Sequence, residues 1–151
     1  MIKNMDSNNE AVARLLGVLT EKIDSCQGTL SAQEVANGLY GLKNMSCDRE
    51  EVRNLLRTFA KHVERCSDPF TAQNVGCACF GFKKMNSDSM EVRHILHLLK
   101  RHITSCRTPL TSQAIGNAFY GMKGMDSNVE EVRNILQALR LCVVKNDSLF
   151  S

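Results

Sequence analysis

The chain has 151 residues, a formal net charge of +3 at pH 7, 43% hydrophobic residues and 23% charged residues. This length is enough for one ordinary domain, and this composition excludes a disordered or collagen-like chain. No apolar run reaches the roughly 20 residues that span a bilayer, and the first residues carry no recognisable targeting signal, so we expect no membrane partner. The weak positive charge is compatible with nucleic-acid binding but does not indicate it.

The seven cysteines are odd in number, and their spacings match neither a disulfide framework nor a zinc site. We therefore expect a reducing, intracellular compartment, either cytoplasm or organelle, and no metal or cofactor. His94 and His97 could share a helix face, which is more typical of a solvated or packed pair than of a metal site. The 40-residue interval between Cys26, Cys66 and Cys106 favours buried packing over a redox role.

A repeat of 40 residues runs through the sequence without insertions. Its clearest marker is a methionine, present as Met5, Met45, Met85 and Met125. Glutamines and lysines follow the same interval, at Gln33, Gln73 and Gln113 and at Lys43, Lys83 and Lys123. A period near 40 without strand alternation is typical of helical hairpins that stack as an α-solenoid.

The first helix of each unit, which we name helix A, is predicted to begin after Ser31, Thr71 and Thr111. Their hydroxyl groups suit the N-cap, where they accept a hydrogen bond from a backbone N–H of the first turn. An apolar residue stands immediately before each cap and another four residues after it, which is the pattern of a hydrophobic staple. The predicted ends of helix A lie near Lys43, Lys83 and Lys123.

The second helix, helix B, is predicted from an apolar stripe at i, i+3, i+4, i+7 and i+11. In the first complete unit the stripe is Val52, Leu55, Leu56, Phe59 and Val63. Ser7–Glu10 and Ser127–Glu130 match capping boxes at the start of this helix. A polar turn followed by proline is expected to end helix B near Cys66 and Cys106, because proline cannot continue a helix.

These elements predict an all-α fold, a right-handed α-α superhelix (solenoid) of about 40-residue helical-hairpin repeats with seven helices, in the order B-A-B-A-B-A-B. A single domain over residues 1–151 would hold a partial repeat at 1–30 and repeats at 31–70, 71–110 and 111–150. Residues 2–5 align with the last turn of a helix A, and Phe150–Ser151 with the start of another. Because neither end carries a polar capping repeat, we expect an excerpt of a longer array or self-association through the uncapped ends.

Glycine recurs in helix A at Gly41, Gly81 and Gly121. Glycine inside a helix costs up to about 1 kcal/mol relative to alanine, so three copies indicate a compensating contact. The simplest prediction is that a neighbouring helix approaches the backbone closely at these points.

A stripe of amides with one aromatic residue runs along helix A, as Gln33, Asn37 and Tyr40 in the first copy. An aromatic ring can stack on a base, and amides offer donors and acceptors to a base edge. The alternative is that the ring fills the gap between repeats and the amide supports a loop. The candidate RNA-binding residues are Gln33, Asn37, Tyr40, Lys43, Gln73, Asn74, Phe80, Lys83, Gln113, Asn117, Tyr120 and Lys123.

Two rows of cations also follow the repeat. The lysines near the end of helix A can stabilise the helix dipole by about 0.3–1 kcal/mol, or can follow a phosphate backbone, and both interpretations stay open. Arg53, Arg93 and Arg133 lie in the first turn of helix B, where a cation is unfavourable. We expect ion pairs between repeats that involve the glutamate two residues before each arginine.

The segment Ser31–Leu42, SAQEVANGLYGL, resembles the first-helix motif of octotricopeptide-repeat proteins, Ser/Pro-x-Gln-x-Leu-Ala-Asn-x-Leu-Trp/Tyr-Ala-Leu. The copies at 71–82 and 111–122 match less fully, and the middle copy has Gly76 and Cys77 in place of Ala and Asn. The resemblance implies a helical-hairpin solenoid that binds single-stranded RNA, often in organelles, and acts in RNA maturation, stability or translation. It also implies that the amide stripe of helix A faces RNA.

Two functions are therefore expected from the sequence. The first is binding of single-stranded RNA along the A helices, and the alternative is a protein–protein interaction scaffold that binds a peptide or partner protein. An enzyme is not expected and no catalytic residue is assigned, because no nucleophile–base pair or carboxylate pair recurs in a way that marks one cleft.

Overall fold

The computed structural model of the chain describes the backbone of residues 8–150 and the side chains of residues 8–145, and every regular element in this range is an α-helix. The helices are α1 (Glu10–Asp24), α2 (Ala32–Gly41), α3 (Glu50–Arg65), α4 (Ala72–Phe80), α5 (Met90–Thr104), α6 (Ser112–Gly121) and α7 (Glu130–Phe150). The odd-numbered elements are the B helices and the even-numbered ones the A helices. The predicted helical class and the seven helices are confirmed over the described residues.

Helices of the same kind pack against each other from one unit to the next. Each A helix contacts the next A helix, and each B helix contacts the next B helix. One continuous apolar core joins the two sets and includes Val35, Leu56, Ile95 and Leu139. Within the described part of the chain, no helix is both long and apolar enough to cross a bilayer.

The predicted N-caps of the A helices are confirmed. The side chains of Ser31, Thr71 and Thr111 each accept a hydrogen bond from the backbone N–H three residues later. In α2 the Glu34 carboxylate accepts a bond from the backbone N–H of Ser31, 2.8 Å away, which completes a capping box. The cap hydroxyls therefore fix where each A helix begins.

The predicted ends of the A helices are wrong by two or three residues. They end at Gly41, Phe80 and Gly121 rather than near the recurring lysines. After this point the backbone N–H groups of Lys43 and Lys83 bond to carbonyls only three residues earlier. This tighter turn replaces the α-helical pattern and directs the chain into the next loop.

The predicted starts of two B helices also need correction. Ser7 lies outside the described residues, and the N-cap of α1 is Asn9, whose side chain accepts from the N–H of Ala11. Helix α7 begins at Glu130, three residues after Ser127, so Ser127 does not cap it. A turn separates Ser127 from the start of α7. In this turn the N–H of Val129 donates a hydrogen bond to the carbonyl of Asp126.

The ends of α3 and α5 agree with the predicted ends near Cys66 and Cys106. Helix α7 continues to Phe150, so the predicted start of another A helix at that residue is wrong. Leu149 stands where the earlier units have Thr29, Pro69 and Pro109, so no proline interrupts α7. The predictions for residues 2–5 and for Ser151 lie outside the described residues.

The row of arginines at the start of the B helices binds loop carbonyls. Arg53 donates to the carbonyls of Cys47 and Asp48, and Arg93 and Arg133 make bonds of the same kind in their own units. These bonds differ from the expected ion pairs. Of the glutamates two residues before the arginines, Glu91 does form an ion pair between units, but its partner is Arg57 of α3, at 2.6 Å. The carbonyl oxygens that close each loop offset the unfavourable position of the cation at a helix N-terminus.

The recurring cysteines differ in their environment. Cys66 and Cys106 are buried, which confirms a packing role, whereas Cys26 is exposed. Burial is the main cause that raises the pKa of the Cys66 thiol. The two buried members of this row are therefore packing groups.

Glycine permits the A helices to touch backbone to backbone. A Cβ atom added at Gly81 would overlap the carbonyl of Leu39, and one added at Gly121 would overlap the carbonyl of Cys79. No described residue has a positive φ that would demand glycine for its conformation. The predicted close approach is therefore confirmed at both positions, and space rather than backbone conformation is the reason for the glycine.

Replacing Gly81 with alanine is predicted to destabilise the protein by about 1–3 kcal/mol, because the overlap is with a backbone atom that cannot turn aside. The matched control is Gly17→Ala in α1. No described atom outside the nearby backbone of α1 lies within 4 Å of a Cβ added at Gly17. That variant should gain up to about 1 kcal/mol from helix propensity. Urea unfolding measures both changes, and an equal or higher midpoint for Gly81→Ala than for Gly17→Ala would contradict the close packing.

Two buried histidines link successive B helices. Nε2 of His62 lies 2.9 Å from the carbonyl oxygen of Ile23, and Nε2 of His102 lies 3.0 Å from that of Val63. The equivalent Cys142 directs its thiol to the carbonyl of Ile103 at 3.1 Å. A donor at this position thus satisfies a carbonyl near the end of the preceding B helix in three successive units.

The pH dependence of stability should report the buried His102. Burial is the largest effect on the pKa of His102 and lowers it below 6.5. The charge of Arg101 also lowers this pKa, whereas the hydrogen bond to the Val63 carbonyl raises it. Because the pKa of His102 is lower in the folded state, the unfolded chain binds a proton at this histidine more readily than the folded protein does. The free energy of unfolding therefore decreases as the pH falls through the pKa of the unfolded state.

The urea midpoint should therefore decrease from about pH 7.5 to about pH 5.5, the range in which an unperturbed histidine titrates. His102→Gln keeps a donor for the carbonyl but does not titrate, so its midpoint should change less over this range. A steeper decrease in the variant than in the parent protein would refute the role of this histidine.

Candidate nucleic-acid interface

Two grooves lie between successive A helices and are lined by the predicted amides. The groove between α2 and α4 has a volume of about 260 Å³, and its walls include Gln33, Asn37, Gln73, Asn74 and Cys77. The groove between α4 and α6 has a volume of about 300 Å³, and its walls include Gln73, Gly76, Cys77, Gln113 and Asn117. Gln73 and Cys77 border both grooves, so the structure brings all six predicted amides into one continuous surface.

No charged side chain lines either described groove, and amides supply most of the polar groups on their walls. Amide side chains carry two donors and an acceptor, which can match a base edge or a peptide group. Cys77 stands where the other units have asparagine, and burial raises the pKa of its thiol. The middle of the surface therefore carries a neutral thiol, which forms only weak hydrogen bonds. The equivalent positions on either side are Asn37 and Asn117, whose amides form stronger ones.

The predicted aromatic residues form a ladder across the A helices. Tyr40 stacks on Phe80 with ring centroids 5.6 Å apart, and Phe80 stacks on Tyr120 at the same distance. The interplanar angles are 25° and 22°. Rings in such contact leave no space for a base between them, so the packing alternative accounts for both faces of Phe80. Tyr120 remains 48% exposed.

The predicted lysines lie against this aromatic ladder. The distances from ammonium nitrogen to ring centroid are 4.5 Å for Lys43 and Tyr40, 5.1 Å for Lys83 and Phe80, and 4.2 Å for Lys123 and Tyr120. Where the ring is a tyrosine, the ammonium also donates to its hydroxyl oxygen at 3.1 Å. A ring contact holds each of the three cations, and a hydroxyl bond adds to it at Lys43 and Lys123, so the ammonium groups form a row.

This row makes one edge of the A helices electropositive. The bond from Lys123 is the largest effect that lowers the pKa of the Tyr120 hydroxyl, and the charges of Lys123, Lys83 and Lys84 lower it further. Lys84 is exposed and was not predicted as a site residue, because Asn44 and Gly124 replace it in the other units and no repeat signal marks it.

One acidic group opposes this potential at the start of α2. Glu34 is exposed, and its equivalents are Asn74 and Ala114. The hydrogen bond from the backbone N–H of Ser31 is the largest effect that lowers the pKa of the Glu34 carboxyl. The carboxylate is thus ionised at neutral pH, one residue after Gln33 of the groove between α2 and α4.

No protein-family model, curated protein or solved structure matches the chain. Among the described residues, no group of three or more His, Cys, Asp or Glu side chains could hold a metal ion. The chemistry available at this surface is therefore hydrogen bonding by amides beside a row of cations.

Proposed function

We propose that the chain is an α-solenoid of the octotricopeptide-repeat type that binds single-stranded RNA along its A helices. In this proposal the two packed sets of helices are turns of one right-handed superhelix formed by the 40-residue units. The contacts between successive helices of the same kind support a solenoid, and the Ser31–Leu42 motif supports the family.

Phosphates and bases would bind to different parts of the surface. Lys43, Lys83 and Lys123 bind the phosphate backbone, and the two amide grooves receive base edges. The observation that carries the proposal is that the row of cations follows directly after the three helices whose side chains line the amide grooves. The aromatic ladder sets the spacing of the cations, and the exposed ring of Tyr120 offers a stacking surface.

Replacing Lys43, Lys83 and Lys123 together with glutamine tests the phosphate contacts. Glutamine keeps the aliphatic stem over the ring and removes the charge. Each lysine that no longer neutralises a phosphate of a single strand reduces the slope of log affinity against log salt by about 0.7, so the slope should fall by about 2. The slope is measured by fluorescence anisotropy, with a labelled single-stranded RNA of randomised sequence titrated at several salt concentrations.

The control carries the same change of charge on the B helices. Lys22, Lys61 and Lys100 are all exposed there, and their triple glutamine variant should bind RNA like the parent protein. An equal decrease of affinity in both variants would mean that only net charge matters. If the parent protein shows no RNA binding at low salt, the proposed function is wrong for this chain.

Glu34→Gln should raise the affinity for the same RNA by about twofold at low salt, because it removes an exposed anion next in sequence to Gln33, which lines the first groove. Glutamine also fits the third position of a capping box, so α2 should stay intact. Glu64→Gln, an exposed change on α3, is the control and should leave the affinity unchanged. Equal affinities for Glu34→Gln and the parent protein would place the RNA away from this groove.

A protein–protein interaction scaffold is the second candidate, and the absence of charge on the walls of the described grooves favours it. Amides along a groove can pair with the backbone of an extended peptide as well as with bases. The scaffold predicts capture of a partner from cell extract that survives ribonuclease and does not change in the lysine variant. The RNA proposal predicts that ribonuclease releases the captured material.

A further inference from the structure

The last pair of helices presents an apolar face whose equivalents are covered in the earlier units. We name Gly116, Phe119, Tyr120 and Leu136 the C-face. Phe119 is 48% exposed, whereas the equivalent Leu39 and Cys79 are each 1% exposed. Leu136 is half-buried, whereas its equivalents Leu56 and Leu96 are fully buried.

The contacts inside the protein define what fits such a face. The carbonyl of Leu39 meets Gly81 of the next A helix, and the carbonyl of Cys79 meets Gly121. Gly76 packs closely on the backbone of Ala114, but no described atom lies within 4 Å of a Cβ added at the equivalent Gly116. The C-face therefore suits an A helix with glycine at the position opposite the carbonyl of Phe119.

The first pair of helices presents the matching surface. We name Val12, Leu15, Val18 and Leu19 of α1, with Tyr40 and Gly41 of α2, the N-face. Val18 is 57% exposed, whereas its equivalents Thr58 and Leu98 are half-buried and Ala138 is buried. Val12, Leu15 and Leu19 are half-buried, whereas every equivalent on α3, α5 and α7 is buried.

We propose that the C-face of one molecule binds the N-face of a second copy of the same chain, head to tail. Tyr40 of the second copy stacks on Tyr120 beside Lys123, as Phe80 stacks on Tyr40 beside Lys43, and its Gly41 lies against the carbonyl of Phe119. The contact continues the junction seen between α2 and α4 and between α4 and α6, and it extends the aromatic ladder and the row of lysines into the next molecule. Such a heterologous contact does not close on itself, so chains of several copies form.

Light scattering over a concentration series tests the contact with two blocked variants. Phe119→Asp disables the C-face and Val18→Asp disables the N-face, and each places a charge at an exposed apolar position. The parent protein should reach at least twice the mass of a monomer at high concentration, and each variant alone should stay monomeric. An equimolar mixture of the two should form a one-to-one dimer, because one intact C-face and one intact N-face remain.

The control is Met90→Asp, at the most exposed large apolar residue, whose equivalents Glu50 and Glu130 are also exposed. It should associate like the parent protein. Circular dichroism at low concentration verifies that each variant is folded, and Val18→Ser replaces Val18→Asp if that variant loses helix. A monomeric parent protein, self-association of a blocked variant at the parent level, or a mixture that stays monomeric would each overturn the proposal. The test contains no RNA and changes no lysine, so its result is independent of the proposed function.

Discussion

Direct contact between the backbones of successive A helices sets the geometry of the candidate site. At Gly81 and Gly121 there is no side chain to separate the helix from the carbonyl it meets. This approach allows aromatic rings one residue before these glycines to stack at 5.6 Å. The ladder in turn holds the lysines at regular positions, so cations, rings and grooves all depend on the same contact between backbones.

The B helices hold the units together through a different set of interactions. His62, His102 and Cys142 reach back to a backbone carbonyl of the preceding B helix. Arg101 donates to several carbonyls at the end of α3, including that of Glu64. These contacts satisfy polar backbone groups at helix ends, which would otherwise be costly to bury. The B helices thus fix the stack while the A helices leave amides and cations exposed.

Local chemistry accounts for the parts of the fold that were predicted correctly. A hydroxyl residue followed by an apolar periodicity is sufficient to place the start of α2, α4 and α6, because capping involves residues within one turn. The alignment of Phe150 with earlier units gave the wrong answer for the end of α7, which continues to that residue with no proline to interrupt it. The roles of Arg53 and His62 were missed or misassigned, because their partners are carbonyl groups, which leave no mark in the sequence.

The sequence by itself determined the helical class, the 40-residue unit, the caps of the A helices and which residue types recur on helix A. The tertiary structure decided what those residues face. It placed Gln33, Asn37, Gln73 and Asn74 around one groove, and it turned the aromatic rings toward each other instead of leaving both faces open. Periodicity fixes the direction of a side chain around its own helix, whereas the distance to the next helix is fixed only when the units pack.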